Sequence, residues 1–306
     1  MRYAALFPGQ GSQKVGMGRA LYEAYPAARE VLDRAEATLP GLLQKIWEGP
    51  EEALTRTETQ QPALLAVGYA AYRAFLEAGG REPLLAAGHS LGEWTAHVAA
   101  GTLELEEALR LVHLRGRYMQ EAVPEGVGAM AAILKLPFSE VEAVVQGMEG
   151  VEVANLNAPE QTVVSGRREK VEEAARRLRE KGGRAVFLPV SAPFHSSLMA
   201  PARARLAEDL RSVPLRPPRF PVYSNVTAAP ETDPERIRAL LLEQITHPVR
   251  WVEILKDMEA RGLRLFLEFG SGEGLKGLVV RTLPQAQAFS LKDPESLKGA
   301  LEVQDA

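Results

Sequence analysis

The chain has 306 residues, 46% apolar and 25% charged, enough for one large domain carrying a smaller insert. A net charge of −4 argues against nucleic-acid binding, and the absence of cysteine excludes disulfides, thiolate metal sites and a cysteine nucleophile. No run reaches the roughly 18 apolar residues of a membrane span, and the apolar run at the start is too short for a secretory signal; a cytoplasmic protein with no membrane role is expected.

The first predicted element is a strand, RYAALFPG, which runs into LFPGQGSQKVGMG. Glycines after a first strand raise the question of a phosphate loop. The spacing answers against it. A dinucleotide fingerprint begun at Gly9 needs glycine where Lys14 stands, and a Walker loop begun at Gly11 needs lysine where Met17 stands.

Amphipathic helices follow, the last being QPALLAVGYAAYRAFLEAGG, stopped by Gly79 and Gly80. PLLAAGHS reads as a short buried strand, LGEWTAHVAAG as a helix ended by Gly101, and ELEEALRLVHLRGRYMQEA as another helix. This alternation predicts an α/β fold with a mostly parallel sheet. The middle of the chain changes character. GAMAAIL, SEVEAVVQGM, VEVANLN, QTVVSG, REKVEEAARRLREKG and RAVFLPV read in order as β-α-β-β-α-β, the ferredoxin-like unit. We therefore expect a large α/β domain, discontinuous over 1–123 and 192–306, with a ferredoxin-like subdomain at 124–191. PLRPPRFP reads as an extended connector, and PVYSN, LRLFLEF and AQAFSL as further strands.

GHSLGE carries the sharpest chemical signal. Gly88-His89-Ser90-Leu91-Gly92 fits G-x-S-x-G between a strand and a helix. Small residues two before and two after the serine permit the tight turn of a nucleophile elbow. That turn lifts the Ser90 hydroxyl above the sheet and sets the Leu91 N–H beside the reacting atom. Serine is also a common N-cap, but the strand-turn-helix context favours the nucleophile.

Of five histidines, His195 in VFLPVSAPFHSSLM is the expected base, because it lies between a strand end and a helix. His89 should point away from Ser90, and His97 is about 10 Å along the helix axis, out of reach. His113 falls off its helix's apolar stripe and is expected in solvent; His247, before Pro248, remains possible. No acid stands out as a third triad member, and neither Glu268 nor Glu273 is compellingly placed.

Arg115 lies on or beside the stripe Leu105, Ala108, Leu109, Val112, Gly116 and Met119. A buried guanidinium needs an anion: an internal acid or a substrate carboxylate clamped by two hydrogen bonds. Gly272, Gly274 and Gly277 in GSGEGLKG mimic a dinucleotide signature, but too little chain follows for such a half-domain, so they read as a tight strand-to-helix turn.

Taken together, FPGQGSQ, GHSLGE, RGRYMQEAVPEGVGAMAAI, NLNAPEQTVVSG, VSAPFHSSLM and EQITHPVRW resemble the malonyl-CoA:acyl carrier protein transacylases of bacterial fatty acid synthesis, over nearly the whole chain. The resemblance implies a malonyl-serine ester on Ser90 with His195 as base. It implies an oxyanion hole from the N–H groups of Gln10 and Leu91, and Arg115 holding the malonyl carboxylate. It also implies that the Gln244 backbone carbonyl orients His195 in place of an acid, and that Asn155 and Phe194 contact substrate. Malonyl-CoA and acyl carrier protein would be the partners, with no cofactor or metal, and a monomer is the expected state. His247 stands where asparagine is usual, and GSGEG where GPGxV is common. A serine hydrolase or thioesterase acting on acyl-CoA, a trans-acting acyltransferase of a polyketide pathway, and a non-catalytic carrier-docking module are the alternatives.

In related acyltransferases a phenylalanine before the histidine accompanies malonyl, and a serine there accompanies methylmalonyl. Phe194→Ser should therefore relax selectivity toward an α-methyl group. One methyl is worth only about 1–3 kcal/mol, so the shift is partial. Unchanged discrimination between the two substrates in competition would refute it.

Overall fold

The computed structural model describes residues 1–305. Among these residues ten strands form two sheets. The larger is built on β1 (Tyr3–Phe7) and β2 (Leu85–Gly88), which pair in parallel with Phe7 opposite Gly88. The second sheet is antiparallel and contains β3 (Gly128–Leu134), β4 (Val151–Ala158), β5 (Gln161–Arg167) and β6 (Arg184–Phe187). The chain then returns to the first sheet through β7 (Val222–Tyr223), β8 (Pro230–Glu231), β9 (Leu265–Phe269) and β10 (Gln287–Leu291). The order of the first sheet is β10-β9-β1-β2-β7-β8, with only β8 antiparallel to its neighbour. The second runs β4-β5-β3-β6, with the helices Phe138–Gln146 and Arg168–Glu180 crossing between its strands.

β1 is apolar at every position because the sheet is covered on both faces. Tyr3, Ala5 and Phe7 face a core shared with the long helix Thr57–Glu77, while Ala4 and Leu6 face a core that includes Trp251, Ile254 and Met258 of the helix Trp251–Ala260. The second sheet buries one face beneath its two helices, around Ala131, Ile133, Val141, Val171 and Leu178. The segment before the helix Trp251–Ala260 bridges to β4 of the second sheet. Val249 donates to the Ala154 carbonyl at 2.8 Å, and Leu156 donates back to the Val249 carbonyl at 2.9 Å.

Two expected strands are shorter than the sequence suggested. Only Val222 and Tyr223 of PVYSN pair, because Ser224 turns the chain and its N–H bonds Ala229 across a reversal. RAVFLPV leaves the sheet after Phe187, before Pro189. PLRPPRFP contributes no helix or strand. Among the described residues no helix is long and apolar enough to cross a membrane.

β1 and β2 end side by side, and their following turns meet. A Cβ on Gly92 would stand 2.0 Å from the Phe7 carbonyl oxygen, and one on Gly9 would stand 2.4 Å from the His89 carbonyl oxygen. The turn after β2 is thus clamped against the turn after β1 by backbone contact. Gly92→Ala should destabilise the protein by about 3 kcal/mol or more, since backbone must move to admit the methyl. A melting temperature unchanged from the parent would contradict this packing.

Candidate active site

Ser90 sits between β2 and the helix Leu91–Ala99 with φ 54° and ψ −110°, a strained backbone that non-glycine residues rarely adopt. Its side chain makes no cap bond to that helix. The turn is tied from outside. Ser90 N–H donates to Asn225 Oδ1 at 2.8 Å, and Asn225 Nδ2 donates to the Gly88 carbonyl at 2.8 Å. Ser90 is therefore not a simple N-cap; its hydroxyl faces His195.

His195 also lies at positive φ, 60°, and is 3% exposed. Its Nε2 is 2.7 Å from Ser90 Oγ, and its Nδ1 is 2.9 Å from the Gln244 carbonyl. A carbonyl can only accept, so Nδ1 carries the proton and Nε2 is left to accept from the Ser90 hydroxyl. Burial, with Arg115 adding to it, pushes the His195 pKa down to about 3. The imidazole is therefore neutral, as a base must be.

Arg115, on the helix Leu105–Glu121, is 1% exposed. Its Nη1 donates to Gln61 Oε1 at 2.8 Å and its Nη2 to Gln244 Oε1 at 2.9 Å and Ser90 Oγ at 3.2 Å, while Nε has no partner. Among the described residues no carboxylate pairs with it. Of the two readings open from sequence, the internal ion pair is absent here. Burial pushes its pKa down to about 10, which leaves the charge in place at neutral pH.

Gln10, Leu91, Arg115, Phe194 and His195 line one small cavity with Ser90. Leu91 opens its helix, so its N–H has no acceptor within that helix. The cavity adjoins a cleft of about 360 Å³ between the two sheets, lined by Asn155, Met130 and Val163 from one side and Ser90 and His195 from the other. A wider depression of about 1000 Å³ lies beneath both glycine-rich turns, and shares Gln10, His89, Asn157 and Gln161 with the cleft.

The remaining expected residues separate cleanly. His89 turns to Asn157 Oδ1 at 2.7 Å and packs on Trp251. His97 is buried against Thr102, and His247 Nδ1 is 2.7 Å from the Glu243 carbonyl. His113 is not in open solvent as its helix position suggested: it is half-buried, with Nδ1 3.0 Å from the Glu58 carbonyl, because the neighbouring helix covers it. Glu268 accepts from Lys276 N–H at 2.8 Å at the start of the helix Gly274–Thr282, and Glu273 pairs with Lys276 and Lys292; neither acid touches His195. Among the described residues no group of side chains could hold a metal ion.

Four contributions escaped the sequence reading: Gln61, Asn225, Glu93 and the side chain of Gln244. Glu93 is the acid of GHSLGE, and its burial among apolar helix neighbours was the available signal. Gln61 carried a similar one, a second consecutive glutamine inside an apolar helix.

A serine hydroxyl against a neutral histidine, beside a guanidinium with no carboxylate partner among the described residues, is an arrangement with the groups that covalent acyl transfer requires. The chain belongs to the acyl transferase domain family, which it matches over residues 5–293. It is 41% identical to the malonyl CoA-acyl carrier protein transacylase of Escherichia coli strain K12, over 99% of each chain. It is 43% identical to that of Bacillus subtilis strain 168, over 98% of this chain and 96% of the relative. The acyl-carrier-protein S-malonyltransferase of Burkholderia pseudomallei 1710b superimposes with a TM-score of 0.96 at 44% identity, covering 99% of this chain and 100% of its own. A type II PKS acyl-carrier protein in complex with its malonyl-transacylase gives a TM-score of 0.96 at 40% identity, covering 99% and 100%.

Because burial holds His195 neutral far below the usual imidazole range, acylation of Ser90 should not slow as pH falls from about 7 to about 5. The sign is that of a depressed base: protons bind the unfolded histidine first, so acid lowers folding stability before it quenches the folded base. An inflection near the ordinary histidine pKa in single-turnover acylation would contradict the assignment.

Proposed function

We propose that this protein transfers a malonyl group from malonyl-CoA to the phosphopantetheine thiol of acyl carrier protein in fatty acid synthesis, through an ester on Ser90. The observation that carries the reading is Arg115: a buried charge without an acid partner, 3.2 Å from the serine hydroxyl it would serve. A substrate with a carboxylate two bonds from its thioester carbonyl supplies that missing anion.

In the first half-reaction Ser90 Oγ bonds the thioester carbonyl carbon as its proton passes to His195 Nε2. The oxyanion is held by the N–H groups of Gln10 and Leu91, each worth about 3 kcal/mol of transition-state stabilisation. Collapse breaks the C–S bond, and the imidazolium returns its proton to the CoA thiolate. In the second half the carrier thiol gives its proton to His195, its sulfur bonds the ester carbon, the C–Oγ bond breaks, and the Ser90 oxygen recovers the proton from His195. Both ends of the exchange are thioesters, so no cofactor or metal is required.

The Gln244 carbonyl orients His195, and Phe194 and Asn155 bound the acyl pocket. The strand order β4-β5-β3-β6 with two crossing helices supports a ferredoxin-like subdomain at 124–191. The serine turn supports an α/β-hydrolase-like larger domain at 1–123 and 192–306. The cleft between them would admit the pantetheine arm, and the absence of a membrane-crossing helix among the described residues is compatible with a cytoplasmic enzyme.

Mass spectrometry after mixing with malonyl-CoA should find a malonyl adduct on Ser90, absent in Ser90→Ala. Arg115→Ala should lose malonyl transfer by at least about thirtyfold and gain on uncharged acyl-CoA. No adduct on Ser90, or a malonyl preference that survives Arg115→Ala, would overturn the reading.

A further inference from the structure

Arg115 and Glu93 are buried close together, yet they do not touch. The Gln244 side-chain amide stands between them. Its Oε1 accepts from Arg115 Nη2 at 2.9 Å, and its Nε2 donates to Glu93 Oε1 at 3.0 Å. Nε2 also lies 2.9 Å from the Ser90 carbonyl and 3.1 Å from Asn225 Oδ1. Three acceptors surround this nitrogen and a cation faces the oxygen, so the opposite amide orientation would set oxygen against oxygen and N–H against N–H. Glu93 is itself held, since its Oε1 accepts the Asn225 N–H at 2.9 Å.

We propose that Glu93 is a positioning residue that acts on Arg115 through the Gln244 amide, a carboxyl group and a guanidinium separated by one side chain. The arrangement rests on the reading of Arg115 as the anchor of a substrate carboxylate. A carboxylate in direct contact with Arg115 would occupy the donors that substrate needs. Interposing an amide orients the guanidinium while leaving Nε unpartnered.

The relay makes malonyl capture depend on the charge of Glu93. Burial pushes its pKa up to about 8, against the opposing pull of the Asn225 N–H, the Gln244 amide and Arg115. At neutral pH Glu93 is mostly protonated, and Arg115 meets the cleft with its charge unopposed. Above that range the ionised carboxylate competes with malonyl for the same guanidinium. Glu231 on β8 also raises Glu93. The nearby histidines do not confuse the titration: His97, one turn along the same helix, and His195, across Gln244, are each pushed by burial down to about 3 and stay neutral throughout.

The test compares acylation of Ser90 by malonyl-CoA and by acetyl-CoA from about pH 6.5 to about pH 9, as the ratio of their kcat/KM values. The ratio cancels effects common to both thioesters. In the parent enzyme it should fall as pH rises through about 8, by up to about tenfold for a coupling of one pKa unit. Glu93→Gln keeps an oxygen for Gln244 and Asn225 but cannot ionise, so its ratio should stay flat at the high value. A residue that merely supported the fold would shift rates for both substrates without altering this profile.

A second measurement uses the unmodified protein. At about pH 8.5 acylation by malonyl-CoA should take up more protons than acylation by acetyl-CoA, because the new carboxylate raises Glu93 further. Coincident pH profiles for parent and Glu93→Gln, or equal proton uptake with the two substrates, would overturn the relay while leaving malonyl transfer standing. Failure of the parent to form a malonyl adduct on Ser90 would overturn both.

Discussion

The arrangement of this site follows from one buried charge. Arg115 is removed from water without an acid to touch, and that is tolerable only because fixed dipoles replace the solvent. Gln61 and Gln244 each present an amide oxygen, and Ser90 presents its hydroxyl. Each of these groups is itself held by something else. The Gln244 amide is locked by three acceptors from two other segments of chain, and its backbone carbonyl at the same time accepts the hydrogen bond of His195 Nδ1–H. A single glutamine thus meets the candidate nucleophile's backbone, the candidate base and the candidate anion binder. Displacing Arg115 would disturb all three through that residue.

The second constraint is backbone proximity. Strands β1 and β2 run in register and end together, so the turns that follow them must share space that has no room for a Cβ at Gly9 or Gly92. This closeness brings Gln10 and Leu91 to the cavity where Ser90 and His195 meet. The positive φ values of Ser90 and His195 belong to the same economy of space: both side chains stand on turns the chain would not adopt alone. Asn225, just beyond β7, fastens one of those turns through two hydrogen bonds.

Much of this could be read from the residues. The apolar runs of β1, β2, β3, β5 and β9 announce themselves, and the β-α-β-β-α-β order of the second sheet follows from the change in periodicity after Pro124. The Ser90 turn was legible because glycine must flank it, and His195 because it was read between a strand and a helix, although β6 already ends at Phe187. The lapses have a common cause. The chain pattern shows which side chains want burial, but not what covers a marginal position. His113 was expected in solvent until the helix Thr57–Glu77 was seen to cover it, and PVYSN was expected to pair over its length until Ser224 was seen to turn. Buried polar residues are the hardest case. Glu93 and Gln61 look like ordinary charged or polar helix positions, because nothing local distinguishes a solvated carboxylate or amide from a satisfied one.

The sequence by itself determined the alternation of elements, the serine turn and the presence of an arginine on an apolar stripe, because these depend on spacing within a few residues. Tertiary structure alone decided that Arg115 has no acid partner among the described residues, that the glycine-rich turn after β1 backs onto the serine turn, and that Gln244 meets Arg115 through its side chain as well as His195 through its carbonyl. Those facts join residues 10, 90, 115, 195 and 244, which are far apart in the chain. Hydrogen bonds and electrostatic forces act over a few ångströms of space, and only the folded chain specifies that distance.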